Sequence, residues 1–220
     1  MLTFRWDILF RSLPYLWEGA QMTIRLTTTS VGAGFIIGTL LGMARICQYR
    51  PLRTLAAIYI DFIRGTPLLV QIFLVYMGLP QLLSFPMPRL TAAFLALSLN
   101  SGAYVAEIVR AGIQSVDPGQ TEAALSLGCS NAQVMRYVIL PQAFKRIIPP
   151  LGNEFIAMLK DSSLVSVIAL EELVRRANIV ITRTYRPFEI WLGVAFMYLI
   201  MTIAISRLVA YMERKLNIDV

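Results

Sequence analysis

The stretch that decides the fold is EAALSLGCSNAQVMRYVILP, Glu122 to Pro141. It is a polar interruption in a chain otherwise suited to lipid. Just ahead of it, Asp117-Pro118 supplies an N-cap followed by proline at the first helical position. A short helix is expected from there through Glu122, Ala123, Ala124 and Leu125, ending before Gly128, a natural C-terminal glycine. Ser130 with Gln133 three residues on has the pattern of a capping box, so a second helix is expected to start there and to stop at Pro141. Two capped helices at an angle make a compact knob. Ala124, Leu125, Val134 and Val138 would leave it a short apolar face for something else to cover.

The sequence around this knob is apolar. Of 220 residues, 57% are hydrophobic and only 15% charged, against about a quarter charged in a soluble domain. Five apolar segments approach the length of about 20 residues that spans a bilayer: about Thr23 to Ile46, Leu55 to Leu79, Leu90 to Ile113, Ile147 to Leu170 and Phe188 to Met212. Backbone groups in lipid must bond within their own segment, so these are expected as helices. The fold expected is an all-α membrane protein, a single domain over residues 1–220. It has five transmembrane helices and a two-helix loop over residues 114–146.

Arginines and lysines set the orientation. Arg45, Arg50, Arg53, Arg110, Arg136, Lys145, Arg146, Arg207, Arg214 and Lys215 fall on one side. Arg5, Arg11, Arg89, Arg175, Arg176, Arg183 and Arg186 fall on the other. The richer side is taken as cytoplasmic, with the N-terminus outside and the C-terminus inside. The net charge of +7 follows from such loops. The basic residues are dispersed and not interleaved with aromatics, which argues against nucleic-acid binding. Met1 to Tyr15 contains Asp7 and Pro14 and lacks a clean apolar core, so no cleavable signal is expected. Cys47 and Cys129 both fall on the cytoplasmic side and are expected to be free thiols. The chain has no histidine, which argues against metal sites and histidine acid–base chemistry.

Polar residues at membrane depth are candidate pathway residues. Lys160-Asp161-Ser162-Ser163 lies within the fourth segment. Asp161 either faces a solute ammonium in a locally opened helix or joins an ion-pair network between helices; Lys160 is read as structural. Asn100-Ser101-Gly102 either reads the solute or bonds helix to helix. Gly65-Thr66-Pro67 breaks the second segment, as a hinge or as a source of free carbonyls, and Gln71 follows one turn later. The candidate pathway set is therefore Thr66, Gln71, Asn100, Ser101, Asp161 and Ser162. Glu107 and Arg110, at i and i+3, are read as a structural pair. Gly34, Gly38 and Gly42 form a stripe for close helix packing. No activated nucleophile or paired catalytic carboxylates stand out, so no enzymatic activity is expected.

Glu122-Ala123-Ala124, then Gly128, then Val138 and Leu140-Pro141 resemble the EAA signature of the membrane subunits of ABC importers, with Val138 in place of isoleucine the one departure. RGTPLLVQIFLVYMGLP (Arg64 to Pro80), NSGAYVAEIVRAGIQSV (Asn100 to Val116), LPQAFKRIIPPLGNEF (Leu140 to Phe155) and LKDSSLVSVIAL (Leu159 to Leu170) resemble the branch that imports polar amino acids. The likeness covers about residues 10 to 212.

The resemblance implies a type I ABC importer permease fold in a bacterial plasma (inner) membrane. It implies that residues 114–146 form a cytoplasmic coupling loop that docks on a separate ATPase, with Glu122, Ala123, Ala124, Gly128, Val138, Leu140 and Pro141 in that contact. The implied partners are ABC ATPase subunits, a second permease subunit (the same or a different chain), an extracytoplasmic solute-binding protein and the lipid bilayer. No cofactor is expected in this chain: it has no phosphate-binding GxxxxGK[ST] loop, so ATP and Mg would be bound by the partner ATPase. An ion-coupled secondary amino-acid transporter is the alternative function, and the sequence does not say which amino acid is carried.

Overall fold

A computed structural model describes residues Phe4 to Leu216. The described residues are helical and contain no strand. In chain order the helices are α1 (Trp6–Ile46), α2 (Arg50–Arg64), α3 (Leu68–Leu83), α4 (Arg89–Gln114), α5 (Pro118–Ser126), α6 (Leu140–Asp161), α7 (Leu173–Thr184) and α8 (Pro187–Lys215). Among the described residues three of them, α1, α4 and α8, are each long and apolar enough to cross a membrane. The pair α2 and α3, bent by 104° at the break, passes as a fourth.

Two of the expected segments differ from their sequence reading. The first is much longer than Thr23 to Ile46: α1 has 41 residues, or roughly 60 Å at 1.5 Å per residue. That is about twice the hydrocarbon thickness. Its extra turns are held by tertiary contact, with Leu16 and Ala20 fully buried against Leu173, Ala177 and Ile190. Trp6, Phe10 and Trp17 stay exposed, as aromatics at a membrane–water boundary do. The fourth segment, Ile147 to Leu170, is not one apolar α-helix. It follows α6 to Asp161 and then tightens into a 3-10 helix, Ser162–Ile168, that ends at Ala169 with φ 57°. Glu154, Lys160 and Asp161 make it too polar for an ordinary span.

The glycine stripe explains how α1 and α4 fit together. A Cβ on Gly34 would come within 2.7 Å of Ser101 Cβ, one on Gly38 within 2.6 Å of Val105 Cβ, and one on Gly42 within 2.8 Å of the Ala106 carbonyl oxygen. The two backbones touch where only glycine leaves room, so the stripe packs within the chain. Fully buried Glu172 caps α7. Its carboxylate accepts from the amides of Val174 at 2.9 Å and Arg175 at 2.7 Å, while Thr23 Oγ1 accepts from the Leu173 amide at 3.3 Å. This pins the α6–α7 connection to α1.

The knob forms largely as its capping residues require. Asp117 accepts from the Gly119 amide at 2.7 Å, and Ser130 and Gln133 form the reciprocal capping box. Gly128 turns the chain at φ +85°, a region costly for residues with a Cβ. The second helix, however, does not stop at Pro141. It runs from Asn131–Gln133 through a π-helical turn, Val134–Ile139, straight into α6. The α-type bond that proline cannot make is absorbed by the looser turn instead of ending the helix. The apolar face also differs from expectation. Ala124 and Val134 are buried, and Val138 partly so, against Val116, Ile139 and Ala143. Leu125, Leu127, Tyr137 and Leu140 are the apolar side chains left outside.

The stripe gives a paired test. Gly38→Val should overpack the α1–α4 contact and cost about 1–3 kcal/mol, lowering the thermal midpoint of the purified protein by several degrees. Gly32→Ala, on the same helix with nothing within 4 Å of the new Cβ, should leave it unchanged or slightly raised. Equal midpoints for the two variants would contradict the packing role.

Candidate functional site

A polar cavity of about 600 Å³ lies between the α2–α3 break, α4 and α6. Its size falls in the range of small-molecule sites. Each wall follows from local sequence. The α2–α3 pair contributes Arg64, Gly65, Thr66 and Pro67, where the helix cannot continue because Pro67 has no N–H to donate. Helix α4 contributes Asn100 and Tyr104, and α6 contributes Glu154 and Asp161. The two carboxylates are seven residues apart, two helical turns, and therefore share one face.

The broken helix leaves carbonyls to be satisfied, and Gln71 does this. Its Nε2 lies 2.7 Å from the Ile63 carbonyl oxygen, 3.0 Å from that of Thr66 and 3.0 Å from Thr66 Oγ1. Asn100 Nδ2 donates to Gln71 Oε1 at 3.0 Å. Gln71 is thus a buried brace behind the cavity, not part of its wall. Asn100 combines the two roles left open by the sequence: it bonds helix to helix and also borders the cavity.

Of the candidate pathway residues, Thr66, Asn100 and Asp161 line this one cavity and the other three do not. Gln71 is turned to the helix break. Ser101 is fully buried facing Gly34. Ser162 is fully buried and donates to the Leu159 carbonyl at 2.8 Å. Asp161 and Lys160 have no ion-pair partner among the described residues, so no ion-pair network forms there. Glu107 and Arg110 do pair, with Arg110 Nε 3.1 Å from both carboxylate oxygens.

Three wall residues were not singled out from the sequence: Arg64, Tyr104 and Glu154. The Arg64 guanidinium lies 5.4 Å from the Tyr104 ring centroid, a cation–π contact, and makes no ion pair among the described residues. Glu154 carried a usable signal, since a carboxylate two turns before Asp161 on an intramembrane helix must share its face. Arg64 carried none, because adjacency to a helix break does not say which way a long side chain turns.

Residues 31–218 match the family model described as the inner membrane component of binding-protein-dependent transport systems. The chain belongs to that family. It is 39% identical over 218 residues to the glutamine transport system permease protein GlnP of Escherichia coli K12, covering 99% of this chain and all of that one. It is 41% identical over 205 residues to the arginine transport system permease protein ArtQ of Bacillus subtilis, covering 93% and 94%. Its fold overlays a chain of a solved amino acid ABC transporter with histidines at TM-score 0.93 and 47% identity, covering 97% of this chain and 100% of that chain. It also overlays the inward-facing MetNI methionine ABC transporter at TM-score 0.78 and 18% identity, a likeness of fold alone. This permease is a multi-pass inner-membrane transport component, not a catalytic one, and its family works with ATPase and binding-protein partners.

The brace can be tested directly. Gln71→Ala would strip the Thr66 carbonyl and the Asn100 amide of their Gln71 partner and leave the Ile63 carbonyl with only the 3.4 Å contacts from the Thr66 amide and hydroxyl. That costs on the order of 1–3 kcal/mol, and hydrogen exchange at residues 63–67 should speed up selectively. Unaltered exchange there would show that the break does not depend on Gln71.

Proposed function

We propose that this permease forms half of the pathway of an ATP-driven importer for amino acids, and that the cavity between α2, α4 and α6 is where the solute is held. The charge of the cavity carries the reading. Its wall holds two carboxylates, Glu154 and Asp161, and one guanidinium, Arg64. A solute with two cationic groups and one carboxylate balances that set, which is the charge pattern of a basic amino acid. In this reading Glu154 and Asp161 face the cationic groups, Arg64 faces the carboxylate, and Thr66 and Asn100 supply hydrogen bonds. The relatives named for arginine and glutamine transport support an amino-acid cargo.

The remaining parts follow from the knob. Its outer apolar residues, Leu125, Leu127, Tyr137 and Leu140, form a surface for the ATPase subunit, with Glu122, Ala123 and Gly128 exposed beside them. The knob runs on into α6, so a push on it reaches the helix that carries Glu154 and Asp161. ATP and Mg are bound and ATP is hydrolysed by that partner. Its closure moves the knobs of two permease subunits together and opens the pathway outward to a solute-binding protein. The N-terminus then lies outside and the C-terminus in the cytoplasm. Membership in a binding-protein-dependent family favours this mechanism over ion-coupled transport.

In proteoliposomes holding the complete complex, Glu154→Gln and Asp161→Asn should each weaken uptake of arginine or lysine by roughly 10- to 100-fold, the loss of one charged hydrogen bond of about 1.5–3 kcal/mol. Glutamine uptake should change far less. Equal losses for both solute classes would refute the charge reading. Gly128→Val forces a branched side chain to φ +85°. It should lower solute uptake per ATP hydrolysed, whereas Gly128→Asn, which tolerates that conformation, should retain most of it. Full coupling in the valine variant would remove the knob from the drive mechanism.

A further inference from the structure

A second pocket, of about 520 Å³, lies on the knob side of the first. Its wall includes Arg64, Tyr104, Glu107, Ala111, Ser115 and Arg146. The α4 members recur every three or four residues, so they form one stripe down that helix. From Tyr104 to Ser115 the stripe descends roughly 16 Å at 1.5 Å per residue, ending where the knob begins. Its foot is tied to α6, because Arg146 donates to the Ser115 carbonyl. Arg64 and Tyr104, in cation–π contact with each other, border both pockets.

The two pockets have opposite electrostatics. The upper one holds two carboxylates against one guanidinium. In the lower one the single carboxylate, Glu107, is already paired with Arg110, which leaves Arg64 and Arg146 to set the field. A guanidinium at membrane depth is costly unless it finds a partner or water. Among the described residues Arg64 makes a cation–π contact with Tyr104 and no ion pair, and its side chain is exposed and free to meet a carboxylate.

We propose that the lower pocket is a second binding station, which takes the carboxylate end of the amino acid as it leaves the upper cavity. Arg64 is the group that carries the carboxylate across. The solute passes carboxylate first, into a field that attracts that end and repels its cationic end, so it is held briefly and released to the cytoplasm. The Arg146–Ser115 contact places the floor of this station at the root of the knob, where a movement of α6 against α4 would widen it. This inference rests on the reading that the upper cavity holds an amino acid.

The test uses the whole permease–ATPase complex in a Cys47→Ser, Cys129→Ser background with Ala111→Cys, probed by a small thiol reagent from the cytoplasmic side. L-arginine at a concentration that saturates the upper cavity should slow the labelling at least threefold. Agmatine, which keeps both cationic groups and lacks the carboxylate, should slow it much less. Arg64→Gln should abolish protection by arginine, whereas Arg64→Lys should keep part of it. After complete labelling, arginine uptake should fall at least tenfold from that of the unlabelled protein, while arginine binding in the upper cavity stays within twofold. Binding above with no protection below, or equal protection by agmatine, would overturn this inference alone. No arginine binding in the upper cavity would overturn both it and the reading it rests on.

Discussion

A helix broken inside a membrane has to satisfy the backbone groups that the break exposes, since lipid offers no hydrogen bonds. Here Gln71 meets that demand by lying against the carbonyls of Ile63 and Thr66, and Asn100 holds Gln71 in place. The 104° bend between α2 and α3 is tolerable because of this brace. With the bend secured, Arg64 and Thr66 can turn toward α4 and α6, and a polar cavity can exist at a depth where an unbroken helix would present only side chains to its neighbours.

The second organising feature is the continuity of α6 with the knob. From residue 131 to residue 161 the chain is helical throughout, with one π turn, over roughly 45 Å. The same run carries the exposed Tyr137 and Leu140 near one end and Glu154 and Asp161 near the other. A packed helix transmits a displacement as a body, whereas a flexible linker dissipates it. On the proposed mechanism, that is why the driving surface and the solute-facing carboxylates belong to one element and not to two joined by a loop.

The caps and turns of the knob were legible because they are local. Asp117, Gly128, Ser130 and Gln133 act on backbone groups within a few residues of themselves. Candidate site residues were only partly legible. Thr66, Asn100 and Asp161 border the cavity, but Gln71, Ser101 and Ser162, also polar, are buried and turn to the backbone or to a glycine on α1. A polar side chain in a membrane helix announces that it needs a partner. Whether the partner is a carbonyl or a solute depends on the direction it faces, and that is set by helices distant in sequence.

The sequence by itself determined the helical class, the polar knob with its caps, the place where the second span breaks and the close approach of α1 to some neighbour. Each of these follows from hydropathy, backbone hydrogen bonding or the size of a side chain, which act over one helix or one turn. Only the tertiary structure decided that the knob's helix passes Pro141 without ending, that α1 extends well beyond one bilayer, and that Arg64, Tyr104 and Glu154 join Asp161 around one cavity. Those outcomes depend on how α1, α2, α4 and α6 rotate about their axes as they pack. That rotation is fixed by contacts such as Gly38 on Val105, which link residues far apart in the chain.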